Sequence, residues 1–168
     1  MTQRRRRRSS DPGHRRRLLV VVDDSPECGR AVHFAARRAE HTDGEVMLLA
    51  IVPPPDTQSG WLGVESLMRA EAIADAERLL ETAVDRVRRL APHVTPRWSV
   101  REGEKALEIL RMIEDDEDVA VLVLAAGTGK EGPGPLVTGL AARASGTFPV
   151  PITIVPGDLS DDEIDALA

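Results

Sequence analysis

Hydrophobic residues occur in five short runs along the chain, and between these runs they recur at helical spacing. Short uninterrupted apolar runs indicate strands buried on both faces, whereas apolar residues at positions i, i+3, i+4 and i+7 indicate amphipathic helices. The segment after the first run shows the helical spacing in Val32, Ala35, Ala36 and Ala39. The pattern predicts strands at 18–22, 45–52, 95–101, 119–125 and 150–155, and helices at about 25–41, 66–90, 103–113 and 135–145.

The regular alternation of strands and helices indicates the fold class. Crossovers of this length connect parallel strands in a right-handed sense. We therefore predict an α/β fold, a doubly wound five-stranded parallel sheet with helices on both faces, similar to nucleotide-binding folds. Pro96 places the third strand at an edge, because proline cannot donate a hydrogen bond to the ladder. The ligand crevice of such a sheet lies beyond the carboxyl ends of its strands.

Charge divides the chain into an arm, a domain and a tail. Residues 1–17 contain eight arginines and one acidic residue, although the whole chain has a net charge of −6. We predict a disordered Arg-rich arm at 1–16, one domain at 17–157 and an acidic tail at 158–168, in which a capping box starts a short helix. A second interpretation of the arm stays open, in which it contacts an anionic partner. The acidic domain disfavours nucleic acid as a partner except through the arm.

Several classes of protein are disfavoured. The apolar runs are far shorter than the roughly 20 residues that a membrane-spanning helix needs. Cys28 is the single cysteine, so no disulfide forms within the chain, and a cytoplasmic location is the default expectation. The histidines lack the spacing of metal ligands, so we expect no metal site. They are His14, His33, His41 and His93.

A glycine-rich segment follows the fourth predicted strand, where α/β proteins commonly bind phosphates. Residues 127–135 read Gly-Thr-Gly-Lys-Glu-Gly-Pro-Gly-Pro. Glycine amides and the start of the next helix favour an anion, which makes Gly127, Gly129, Lys130 and Gly132 candidate ligands. The match to G-x-G-x-x-G lies after the wrong strand for a dinucleotide site, and no Walker motif is present, since Glu131 follows the lysine.

Asp23 is a second candidate because it stands at the end of the first strand. A carboxylate there can accept a hydrogen bond from a ribose hydroxyl or an adenine amine. It can equally cap the first helix, as can Asp24. Both interpretations of Asp23 stay open.

Together these segments resemble the universal stress protein family. The resemblance is carried by the strand that leads into Asp23-Asp24-Ser25, the strand 45–52 that ends in Val-Pro, Arg101-Glu-Gly103, and the final segment 149–155. It covers about residues 17–157 and rests on the order and spacing of these pieces.

The resemblance implies a cytoplasmic, stress-linked protein that is generally homodimeric, often through the edge of the last strand, 150–155. One branch of the family binds ATP through a strand-one aspartate, a valine that closes the second strand, and a glycine loop ending in Gly-[Ser/Thr]. Asp23 and Val52 match the first two. In the loop, the register that retains most glycines aligns Gly129 and Gly139, and Leu140 replaces the hydroxyl residue.

We therefore predict a non-catalytic, homodimeric stress-response module that acts through protein contacts or an unusual small ligand. The alternative is an ATP- or AMP-binding protein with at most weak ATP hydrolysis. In that alternative the nucleotide is bound by Asp23, Val52 and the 127–139 loop, including Gly127, Gly129, Lys130, Gly132 and Gly139. The cofactor is undetermined, with ATP as the candidate.

Overall fold

The computed structural model describes residues 5–55, 62–144, 146 and 148–168. In chain order the elements are β1 (Arg17–Val21), α1 (Cys28–His41), β2 (Glu45–Val52), α2 (Leu62–Leu90), β3 (Pro96–Glu102), α3 (Lys105–Asp115), β4 (Val119–Ala126), α4 (Pro135–Ala144), β5 (Ile152–Pro156) and α5 (Asp161–Leu167).

The five strands form one parallel sheet in the order β3-β2-β1-β4-β5. Leu19 of β1 is paired with Met47 of β2 on one side and Leu122 of β4 on the other. The predicted fold class is confirmed, and β3 is the edge strand that Pro96 indicated. The strand order reverses at β1, which brings the ends of β2 and β4 to either side of it.

The sheet separates two hydrophobic cores. Leu18, Val20 and their neighbours pack against α1 and α2, whereas Leu19 and Leu122 pack against α3 and α4. Alternate residues of a strand point to opposite faces, so β1 is hydrophobic on both sides. This accounts for the uninterrupted apolar runs that predicted the strands.

Three helices begin at other residues than the pattern predicts. Helix α1 begins at Cys28 and not at the predicted residue 25, because the backbone amide and hydroxyl of Ser25 donate to Asp23 in the preceding turn. Helix α3 begins at Lys105 because Glu104 caps it. Helix α2 begins at Leu62, where its first turns expose Leu67 and Met68 and so lack the periodicity of a packed face.

The arm contacts the acidic run that follows α3. Arg5 Nη1 donates to the carbonyl oxygen of Glu114 at 2.8 Å, and Arg7 Nη1 donates to the carbonyls of Ile113 and Asp116. These are carbonyls at the carboxyl end of a helix, where cations are favoured. The predicted disorder of the arm and the division into three segments stay predictions. The structure adds that residues 5–8 lie against the domain.

The tail forms the predicted capping box and docks on α1. Ser160 and Glu163 cap each other reciprocally, and Ile164 is fully buried. Buried His33 of α1 lies with Nε2 2.7 Å from Oδ1 of Asp165, and Arg37 donates to the same carboxylate at 2.9 Å. These hydrogen bonds, led by that of His33, hold the pKa of Asp165 below its usual range.

Candidate functional site

The candidate site is a pocket of about 970 Å³ at the carboxyl ends of β1 and β2, covered on one side by α2. It brings together two residues that the sequence predicts as ligands, Asp23 and Val52. Its volume is within the range of small-molecule sites. The wall is formed by Val22, Asp23, Asp24, Ala50, Ile51, Val52, Pro53, Pro54, Ala72, Asp75, Ala76, Arg78, Leu79, Thr82, Gly103, Glu104 and Lys105.

Asp23 stabilises the turn that leads from β1 to α1. Its Oδ1 accepts hydrogen bonds from the amide of Ser25 at 3.0 Å and from the hydroxyl of Ser25 at 2.6 Å. The residue before α1 is Glu27, with no side-chain cap, so the prediction that Asp23 or Asp24 caps this helix is wrong. Both hydrogen bonds use Oδ1, and no residue in the described part of the chain bonds to Oδ2 of Asp23. This oxygen is a free acceptor in the pocket wall.

Val52 closes β2 and fixes the floor of the pocket. Its carbonyl oxygen accepts the amide of Gly103 at 3.0 Å, which ties the end of β2 to the turn after β3. Gly103 has φ +151, and a Cβ there would be 2.9 Å from Cγ of buried Glu108. A side chain at position 103 would therefore disturb the pocket floor.

Acidic side chains outnumber basic ones in the pocket wall. Asp23, Asp24, Asp75 and Glu104 line it, against Arg78 and Lys105, and Asp75 is paired with Arg78. A wall with this excess of negative charge repels a polyanion. The apolar surface from Ala50, Ala72, Ala76 and Leu79 suits a flat uncharged ring.

Helix α3 begins at this pocket, and its amino end is already capped by a carboxylate. Glu104 accepts hydrogen bonds from the amides of Leu107 at 2.8 Å and Ala106 at 3.1 Å. These two amides lower the pKa of Glu104. A helix amino end is the usual anion site of α/β proteins, and here the chain's own anion bonds to it.

The glycine loop lies after β4, and its residues are absent from the described wall of the pocket. The loop closes on itself: the amide of Gly127 donates to Pro133 O at 3.2 Å, and that of Gly132 to Gly129 O at 3.1 Å. Gly132 adopts φ +82, a left-handed conformation that explains a glycine there. The amides of Gly127 and Gly132, which the sequence predicts to bind phosphate, therefore donate their hydrogen bonds within the loop.

The remaining predicted residues of this segment lie in the open. Lys130 is exposed, and an added Cβ at Gly129 or at Gly139 of α4 would meet no atom within 4 Å. Among the predicted ligands, the structure thus groups Asp23 with Val52 and separates them from the glycine segment. The role of the glycine segment as a ligand stays a prediction.

Glu27 is a residue of this region that the sequence analysis missed. A Cβ placed on Gly127 would be 3.2 Å from Oε1 of Glu27, so the carboxylate lies directly against the start of the loop. The same side chain approaches Gly157, where a Cβ would be 2.9 Å from Cβ of Glu27. Because β1 and β4 are neighbours in the sheet, the start of α1 faces the end of β4. The contact between Glu27 and Gly127 depends on this strand order, which the sequence does not show.

Carboxylates from Glu27 and Glu104 thus stand at two places where a phosphate group would bind. Their negative charge disfavours an anionic ligand at these positions. The Oδ2 atom of Asp23 can accept a hydrogen bond from a ligand hydroxyl group.

Metal and thiol chemistry find no support in the described residues. Within residues 5–55, 62–144, 146 and 148–168, no group of three or more His, Cys, Asp and Glu side chains could bind a metal ion. Burial raises the pKa of the Cys28 thiol to about 11, so it stays protonated at neutral pH. No helix in this part of the chain is long and apolar enough to cross a bilayer.

The family model of the universal stress protein family matches residues 14–156. No curated protein matched the chain. Among solved structures, universal stress protein UspA from Lactobacillus plantarum superposes with a TM-score of 0.70 at 17% identity, covering 83% of this chain and 97% of that one.

Two similar structures contain nucleotides according to their descriptions. One is the universal stress protein from Archaeoglobus fulgidus in complex with dAMP, with a TM-score of 0.60, 17% identity, and coverage of 83% of this chain and 97% of that one. The other is a universal stress protein in complex with cAMP, with a TM-score of 0.56, 15% identity, and coverage of 85% and 98%. At this identity the likeness shows the fold alone.

Proposed function

The chain belongs to the universal stress protein family, and on this premise we propose that it is a non-catalytic, cytoplasmic stress-response module that binds a small uncharged ligand. The observation that carries this proposal is the pocket at the ends of β1 and β2, in which Asp23 offers a free acceptor beside apolar residues. The ligand class is a nucleoside, with the ring against the apolar wall and a ribose hydroxyl on Asp23.

The charges around the pocket support a nucleoside over a nucleotide. Glu104 bonds to the amino end of α3, Glu27 lies against the glycine loop, and the loop amides of Gly127 and Gly132 bond within the loop. Each of these features removes a donor or adds a negative charge where phosphates would lie.

The second candidate is an ATP- or AMP-binding protein. Two proteins of the same fold are described in complex with dAMP and with cAMP. In this candidate Lys130 and the glycine loop rearrange to meet a phosphate. Both nucleotides named there carry a single phosphate, which demands fewer donors than a triphosphate.

We also propose that the protein forms a homodimer through the edge of β5. Among the described residues this strand pairs only with β4, so its other edge presents unpaired backbone groups. Ile154 of this strand is 41% exposed, which is high for a large apolar side chain. A second copy that pairs along residues 150–155 would cover both features.

Calorimetric titration with adenosine tests the ligand proposal. The variant Asp23→Asn keeps an oxygen for the Ser25 turn but removes the charged acceptor, so adenosine affinity should fall by about tenfold or more. The matched variant Asp24→Asn removes the same charge from the same wall and should leave adenosine affinity nearly unchanged. Lack of adenosine binding at millimolar concentration, or equal losses in both variants, would refute the proposed role of Asp23.

A further inference from the structure

A second cavity, of about 410 Å³, lies at the other end of the sheet from the candidate site. It is formed where β1, β4 and β5 begin, beneath the second half of α1 and the end of α5. Its wall consists of Arg16, Leu18, Phe34, Arg38, Thr42, Ala120, Val121, Pro151, Thr153 and Leu167. No acidic side chain belongs to this wall.

In the described part of the chain, Arg16 and Arg38, the two arginines of this cavity, lack the acidic partner that the arginine next to each of them in the sequence has. Arg17 is paired with Glu45 at 2.7 Å, and Arg37 with Asp165 at 2.9 Å. Within the described residues, the guanidinium groups of Arg16 and Arg38 have neither a hydrogen bond nor an ion pair. In a chain rich in ion pairs, two unpaired cations face one cavity.

Both arginines extend from fixed backbone. The carbonyl oxygen of Arg16 accepts the amide of Glu45 at 2.8 Å, which anchors residue 16 to the start of β2. Arg38 belongs to α1, and its carbonyl oxygen accepts the hydroxyl of Thr42 at 2.7 Å. An anion that binds here therefore orders two side chains whose backbone positions are already fixed, which lowers the entropic cost of binding.

The rest of the wall is apolar. Leu18 is buried, Phe34 and Val121 are half-buried and Leu167 is exposed, so hydrocarbon surface lies next to the two cations. A small inorganic anion would leave this apolar surface in water. A molecule with one anionic group and a hydrocarbon chain would contact both the two arginines and the apolar surface.

We propose that this cavity is a binding site for an amphipathic carboxylate, such as a medium-chain fatty acid. The carboxylate bonds to Arg16 and Arg38, and guanidinium groups suit a carboxylate because they form paired, charge-assisted hydrogen bonds. The hydrocarbon chain lies along Leu18, Phe34 and Val121. The site is separate from the nucleoside pocket and does not depend on the function proposed for it.

A simpler role for the cations is to offset the negative end of α1. Arg38 and His41 are the basic residues of its last turn, where cations are favoured. That role requires no ligand, so it predicts that substituting Arg16 and Arg38 alters stability alone. The two accounts are separated by measuring ligand binding.

Calorimetric titration of the full chain compares decanoate with 1-decanol, which has the same chain length and no charge. We expect decanoate to bind with a stoichiometry of one and at least about tenfold more tightly than decanol, because each charge-assisted hydrogen bond favours the anion. Equal binding of the two, or no binding of decanoate, would overturn the proposal. If a second copy of the chain covers the cavity instead, decanoate will fail to bind to the dimer, which also overturns it.

Three variants place the binding at this cavity. The double variant Arg16→Gln, Arg38→Gln should weaken decanoate binding by about tenfold or more, and Leu167→Glu should do the same by adding a carboxylate at the rim. The matched control is Arg89→Gln on α2, which removes another exposed arginine that has no partner in the described part of the chain, and decanoate binding should not change. Losses as large in the control would show general attraction to a basic surface and refute the site. Adenosine titrated after decanoate should bind with unchanged affinity. The two proposed sites are therefore tested independently of each other.

Discussion

The side chain of Glu27 lies against the backbone of Gly127, so closely that a Cβ atom at position 127 would be 3.2 Å from Oε1 of Glu27. This contact brings a negative charge to the start of the loop that the sequence predicts as a phosphate site. It connects the amino end of α1 with the end of β4, which are far apart in sequence.

Removal of the Glu27 charge should improve the binding of phosphates. We expect Glu27→Gln to bind ATP about three- to tenfold more tightly than the unmodified protein. This is the size expected when one unit charge is removed several ångströms from a phosphate at a partly exposed site. Adenosine binding should not change, because it carries no charge. Calorimetry with both ligands measures the difference.

The matched control for Glu27 is Glu131→Gln, which removes an exposed carboxylate from the same glycine loop. It should improve ATP binding less, since no contact of this side chain with the loop backbone is present in the described residues. Weaker ATP binding in Glu27→Gln would contradict the repulsion and assign Glu27 a supporting role.

Docking of α5 should contribute measurably to stability. Ile164 is fully buried, so Ile164→Ala is expected to lower the free energy of unfolding by about 2 kcal/mol or more in urea titrations. Leu167 lies one turn later in the same helix and is 62% exposed, so Leu167→Ala should change it by less than about 0.5 kcal/mol. Equal effects of the two substitutions would show that α5 is not docked in solution.

The contact of the arm with α3 should appear as a salt-dependent stability. Arg7 donates to the carbonyls of Ile113 and Asp116, so Arg7→Ala is expected to lower the free energy of unfolding by about 1 kcal/mol at low ionic strength. Among the described residues Arg6 is paired only with Asp11, within the arm, and Arg6→Ala should have almost no effect. The difference should shrink near 1 M salt, where the screening length is roughly 3 Å. Identical unfolding curves for both variants would leave the arm as the disordered extension that composition predicts.

The proposed dimer edge predicts a change of assembly from one substitution. Ile154→Lys places a charge on the outer edge of β5. We expect the unmodified protein to sediment as a dimer in analytical ultracentrifugation and the variant to sediment as a monomer. Leu167→Lys adds the same charge to another exposed apolar position and should remain dimeric. Circular dichroism verifies the fold of each variant. A folded, dimeric Ile154→Lys variant would refute the interface.

The fold class was predictable mainly because the three inner strands β1, β2 and β4 are largely buried on both faces. The run from Leu18 to Val22 is uninterrupted for this reason, and Pro96 correctly indicated an edge strand. Helix starts were less predictable, since side chains compete for the same amides. Ser25 was available as a cap, but it bonds to Asp23, and Glu104 provides the cap for α3.

The site was predictable only where a strand end defines it. Asp23 follows β1 by two residues and Val52 ends β2, and both line one pocket because β1 and β2 are parallel neighbours. Glu27 could not be identified in this way, because its contact with Gly127 depends on β1 and β4 being neighbours. For the arm, the sequence reveals only its positive charge. The carbonyl groups at the end of α3 that it contacts can be identified only from the structure.

The affinity ratio of ATP to adenosine for the unmodified protein tests the central claim most directly. Calorimetric titrations with each ligand, in the presence of magnesium, give the two dissociation constants under identical conditions. If the pocket binds a nucleoside and carboxylates occupy the phosphate positions, adenosine will bind at least as tightly as ATP. ATP binding that is about tenfold tighter than adenosine binding would correspond to about 1.4 kcal/mol gained from the phosphates and would contradict the account.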